Sequence, residues 1–127
     1  DLALWKFAME MRCVDVAQPD ICYLGGLSRT LKVVEMANKA GLPVTPHAAN
    51  MSMVTVFTLH MMGAISNAGP YVEFSIEGND YYPWQEDFYR PALVARDGKV
   101  QIPEGPGWGV DLNPQWLDKA KYQKSEL

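Results

Sequence analysis

The sequence predicts an α/β fold built on parallel strands, and three observations carry that reading. Segments with helical apolar periodicity alternate with short extended runs, the connections between them are brief, and the alternation stops near residue 78. The order is α-β-α-β-α-β, which with short loops implies right-handed crossovers between parallel neighbours.

Each element has its own signal. Leu4, Trp5, Phe7, Ala8 and Met11 recur near a 3.6 period in a stretch without Gly or Pro, predicting a helix over residues 2–11. Residues 14–18 alternate apolar and polar and predict a short strand, followed by a loop that carries Pro19-Asp20 and ends at Gly25-Gly26. Ser28 or Thr30 then caps a second helix. It places Leu31, Val34 and Ala37 on one stripe, with Val33, Met36 and Ala40 beside it, and ends at Gly41. Residues 42–47 form the next extended run, kept brief by Pro43 and Pro46. Ser52 caps a third helix reaching about Ile65, where length and context outweigh the β-branched Val54, Thr55, Val56 and Thr58. Residues 66–70 break it, and the aromatic and β-branched run 71–76 predicts a third strand. Three parallel strands with three helices leave sheet faces uncovered, so the residue count points to part of something larger.

Beyond residue 78 the character changes, and the expected organisation is 1–78 followed by a tail, 79–127. The tail opens with an aromatic cluster, Tyr81, Tyr82, Trp84, Phe88 and Tyr89. Asp97-Gly98 between the apolar runs 92–94 and 100–102 predicts a hairpin. Asn113-Pro114 reads as an N-cap and first helical position of a short helix around 115–121.

Composition narrows the function classes. The 127 residues are 48% hydrophobic and 20% charged, which is the balance of a globular domain. Fifteen acidic against eleven basic side chains give a net charge of −4, and the basic residues are scattered, so no nucleic-acid partner is expected. The most apolar stretch, 51–65, is interrupted by Ser52, Thr55, Thr58 and His60 and falls short of the roughly 18 apolar residues of a membrane span, so no membrane partner is expected. Cys13 and Cys22 are expected as free thiols in a reducing, cytoplasmic compartment. The chain opens at Asp1 without an initiator methionine, and the expectation is that a segment precedes it.

Chemistry concentrates at Asp20, His47 and Glu73. Asp20 and His47 stand 27 positions apart, about one βα unit, at the ends of successive expected strands, and Glu73 falls on the next. A carboxylate bonded to one imidazole nitrogen fixes the tautomer and raises the basicity of the ring, making a general base near neutral pH. Singly, each residue has an ordinary structural reading: a histidine after proline, a turn aspartate, a strand-surface glutamate. Their shared position, where parallel α/β folds place sites, sets the catalytic reading beside the structural one. His60 reads as a packed helix residue, Gly25-Gly26 as a turn, and Asn50, Tyr81 and Trp84 as candidate substrate contacts.

Gln18-Pro19-Asp20, Gly25-Gly26, Pro46-His47, Glu73 and the late run 103–110 resemble, in that order, the C-terminal part of a mandelate racemase-type member of the enolase superfamily, most closely its acid-sugar dehydratases. The resemblance implies the C-terminal portion of a TIM-type (β/α) barrel, with 1–78 as the units around strands six to eight. The tail 79–127 would then pack on the barrel or capping region. It implies His47 as the base that removes the proton next to a carboxylate, Asp20 as its partner, and Glu73 as the acid that meets the substrate carboxylate. A small sugar acid is the implied substrate and a homo-oligomer the expected assembly. The implied cofactor is Mg²⁺, bound by the parent protein through residues absent here, with no metal ligand in this chain. By itself the chain is then expected to be inactive. The alternatives are a racemase or epimerase of the same superfamily, or a non-catalytic piece that self-associates.

Overall fold

The computed structural model describes residues 1–48 and 50–126; Ala49 and Leu127 lie outside the described residues. Two compact units divide the chain between Ser75 and Ile76.

In the first unit, helix α1 (Leu2–Glu10) starts at Asp1, whose side chain accepts the Ala3 N–H at 2.8 Å. It turns Met9 inward with Leu2 and Trp5 beside it, whereas Leu4, Phe7 and Met11, expected on the packed stripe, stand exposed at 66%, 56% and 62%. Helix α2 (Leu27–Lys39) has Gly26 at its N-cap, two residues before the first expected cap, Ser28. Thr30 lies inside it, fully buried, with its hydroxyl donating to the Gly26 carbonyl. The buried face is therefore Thr30, Val33, Val34 and Ala37, and Leu31 is exposed instead. Gly41 takes φ +68 just past the helix, and the Leu42 N–H reaches back to the Ala37 carbonyl. Helix α3 (Met53–Ala64) is capped by Ser52 as expected.

Three extended segments, one after each of these helices, run parallel. Ala17 bridges Val44, and Val44 bridges Ala68, giving the spatial order of the three segments. Regular pairing does not extend further, because proline supplies no donor at 43, 46 or 70. The third contact falls at Ala68 and not in the expected strand 71–76, which is irregular. Asn67 fixes this placement, since its side-chain amide donates to the carbonyls of Val34 and Leu42 and pins the segment ahead of Pro70. Ala17, Val33, Val34, Ala37, Leu42, Val44 and Met61 form one buried cluster with Met9 and Ile21. Full burial of a valine of this kind contributes about 1.5–3 kcal/mol.

Among the described residues of the second unit the strands form two short antiparallel pairs. Strand β1 (Tyr89–Arg90) pairs with β4 (Asp111–Leu112), and β2 (Ala95–Arg96) pairs with β3 (Lys99–Val100). The expected hairpin is present but tighter than 92–94 with 100–102. Asp97 and Gly98 take φ +51 and +71, the two left-handed positions that a two-residue turn needs. Asn113 is buried, caps α4 (Pro114–Leu117) through the Gln115 N–H, and donates to the Asp87 carbonyl. That helix ends four residues before the expected Lys121. The pairing of β1 with β4 had no sequence signal, because the partners are separated by a proline- and glycine-rich stretch.

Candidate active site

The parallel segments bring Asp20 and His47 together. Ala17 and Val44 align, so the residues three beyond each, Asp20 and His47, leave the same end of the ribbon. The register continues to that end, where the His47 N–H donates to the Pro19 carbonyl at 3.2 Å. Asp20 then opens a turn, its carbonyl accepting the Leu24 N–H and its side-chain Oδ1 accepting the Tyr23 N–H at 2.8 Å. The other oxygen, Oδ2, meets His47 Nδ1 at 2.8 Å.

The pair is set at the edge of solvent. The Asp20 side chain is 11% exposed and that of His47 42%. Burial acts to raise the Asp20 pKa, but the hydrogen bonds from His47 and from the Tyr23 and Cys22 backbone outweigh it and hold the carboxyl below its ordinary value. The Asp20 bond raises His47 above its ordinary value against partial desolvation, with the charges of Glu73 and Asp20 acting in the same direction. With Nδ1–H donated to the carboxylate, the neutral ring carries its lone pair on Nε2, the arrangement a general base requires.

Glu73 reaches the same place from the segment beyond Ala68, and its Oε2 accepts the Ala48 N–H at 2.8 Å. Asp20, His47 and Glu73 line one cavity of about 410 Å³, together with Trp5, Gln18 and Tyr23. Asn50 is exposed and lies outside that lining, with its carbonyl accepting the Thr55 hydroxyl. Tyr81 and Trp84 belong to the second unit. Sequence reasoning missed Tyr23, whose ring stacks on the His47 ring at 6.0 Å between centroids and 26° between planes. An aspartate that closes its own turn onto the third residue along is the signal that was available.

Both Asp20 oxygens and one Glu73 oxygen are engaged by N–H donors, and the described residues contain no group of three or more His, Cys, Asp or Glu able to hold an ion. Cys13 and Cys22 are free and exposed. Among the described residues no helix is long and apolar enough to cross a membrane.

Parallel segments linked by helices, with an aspartate and a histidine meeting at one end, define an α/β arrangement. The family model for the enolase C-terminal domain-like proteins matches residues 1–116, and the chain belongs to that family. It is 56% identical to a candidate racemase from Roseobacter denitrificans whose crystal structure superposes with a TM-score of 0.86, covering all of this chain and 35% of that one. It is 31% identical over 125 residues to a D-galactarolactone cycloisomerase from Agrobacterium fabrum, covering 93% of this chain and 32% of the relative. An L-talarate dehydratase from Polaromonas sp. JS666, solved with Mg and L-glucarate, is 28% identical with a TM-score of 0.68, covering 91% of this chain and 29% of that one. The chain thus spans about a third of the length of these relatives.

Proposed function

We propose that this chain supplies the proton-transfer half of an acid-sugar dehydratase site, in the part of a TIM-type barrel that holds strands six to eight. The observation that carries the proposal is the 2.8 Å contact between His47 Nδ1 and Asp20 Oδ2, made across 27 residues of chain by two parallel segments. His47 takes the α-proton of a 2,3-dihydroxy acid on Nε2, and Asp20 keeps Nδ1 protonated and offsets the charge that the ring acquires. The same imidazolium returns its proton to the β-hydroxyl, which leaves as water. The enol that remains becomes a 2-keto-3-deoxy acid. Glu73 stands at the carboxylate end of the substrate.

These residues hold and move a proton; they do not stabilise the dianion that forms when the α-proton leaves. The magnesium seen with the talarate dehydratase would supply that stabilisation, with ligands from outside the described residues. Leu4 and Phe7 on α1 and Met11 just past its end are exposed apolar side chains that favour association, and the homo-oligomer is proposed on that ground.

The 56% identity to a candidate racemase favours a second reading, in which the same dyad exchanges the α-proton without loss of water. One experiment separates them. An acid-sugar library is incubated in D₂O with the enzyme that carries these residues in a complete barrel, and the products are followed by NMR. A 2-keto-3-deoxy product, abolished by His47→Asn, supports dehydration, whereas an epimer deuterated at Cα with no water lost supports racemisation. Turnover undiminished in His47→Asn defeats both.

A further inference from the structure

We propose that Glu73 is a positioning residue for His47, acting through the peptide that follows the histidine. The inference deepens the reading of His47 as the proton-transferring group and rests on it. Ala48 is 2% exposed, so its N–H cannot be satisfied by bulk water, and the acceptor it finds is Glu73 Oε2 at 2.8 Å. The two residues are 25 positions apart, which makes this a tertiary tie and not local turn chemistry.

Around His47 every backbone donor is anchored by a neighbouring segment. Pro46 has no N–H and a fixed φ, the His47 N–H goes to the Pro19 carbonyl, and the Ala48 N–H goes to Glu73. The ring itself is tied to Asp20. Two neighbouring segments therefore hold the residue: Pro19 and Asp20 on one, Glu73 on the other. The Glu73 carboxylate that accepts the Ala48 N–H also acts through its charge on the imidazole and favours its protonated form. Glu73 thereby sets both where the ring stands and how readily it keeps a proton.

NMR on the 127-residue chain tests this without any substrate. In the unmutated chain the Ala48 amide proton shift should follow the titration of the Glu73 side-chain carboxyl carbon, with one shared midpoint. Glu73→Gln keeps an acceptor and should leave Ala48 amide exchange within about twofold while lowering the His47 pKa. Glu73→Ala should speed Ala48 exchange at least about tenfold, the range expected when a buried donor is orphaned, with the Ala17 and Thr45 amides unchanged. An Ala48 shift that ignores the Glu73 titration, Glu73→Ala exchange within twofold of the original, or a His47 titration indifferent to Glu73→Gln overturns the proposal. If Glu73→Ala fails to fold, the native titration and Glu73→Gln decide. A silent acid-sugar screen beside an intact Ala48–Glu73 coupling sinks the dehydratase reading alone. Absent coupling in an enzyme that needs His47 sinks this inference alone.

Discussion

Asp20→Asn changes almost nothing in shape and reverses the chemistry of the site. The native carboxylate accepts the Tyr23 N–H on Oδ1 and the His47 Nδ1–H on Oδ2, each at 2.8 Å. A backbone N–H is a donor that cannot turn, so the asparagine must give its carbonyl oxygen to Tyr23 and point its NH₂ at Nδ1. The imidazole then moves its proton to Nε2, the nitrogen that the proposed base needs free. Under the proposed function, proton abstraction should fall by about 10²–10⁴-fold, the range that a positioned general base contributes. A charge-assisted hydrogen bond contributes about 1.5–3 kcal/mol. With the histidine side chain 42% exposed, solvent screening brings the expected destabilisation to about 1 kcal/mol. That loss should be largest near pH 5.5, where the native imidazole is charged, and smaller above the His47 pKa, which lies over its ordinary value. Urea denaturation at both pH values gives the stability difference, and ¹⁵N shifts of the ring report the tautomer. A ring that keeps Nδ1–H in Asp20→Asn, or turnover within a few-fold of the original, refutes the dyad.

Three further outcomes are expected. The raised His47 pKa adds stability that is full below about pH 6.5 and is lost as pH rises through the folded value, while the lowered Asp20 pKa adds stability above about pH 3.8 that is lost as pH falls through its folded value; Asp20→Ala should flatten both limbs of a urea-midpoint profile, and an unchanged profile counts against the pairing. Gly69→Ala should destabilise the first unit by about 1–3 kcal/mol, because an added Cβ would strike the Thr45 side chain and crowd the Val44 carbonyl that accepts the Gly69 N–H; a neutral effect on thermal melting would contradict this contact. Tyr89 is 1% exposed, its hydroxyl has no partner among the described residues and burial raises its pKa, so Tyr89→Phe should be neutral or stabilising by up to about 1 kcal/mol in denaturant titration; a clear loss would reveal a bond to that oxygen.

Much of the site was legible because it follows from spacing along a repeating unit. Asp20 and His47 lie one βα unit apart, and parallel pairing turns that spacing into adjacency. Ser52, Gly41, Asp97-Gly98 and Asn113 were legible for a different reason, since caps and turns are decided by one residue's own hydrogen bonding and φ. Helix faces were less so. The periodicity of α1 marks Leu4, Phe7 and Met11 as apolar but does not say which apolar side meets α2, and the packed side is that of Met9, Leu2 and Trp5.

The sequence by itself determined the order of helices and extended runs, the caps, the hairpin turn, and which acid and imidazole could meet. Only the tertiary structure decided that the third extended contact falls at Ala68, that Glu73 takes the Ala48 N–H, and that the Tyr23 ring stacks beside the imidazole. The physical reason is the range of the forces involved. Turn and cap energies are fixed within a few residues of chain. A buried N–H takes whatever acceptor the fold brings to it, and at Ala48 that acceptor comes from 25 residues away.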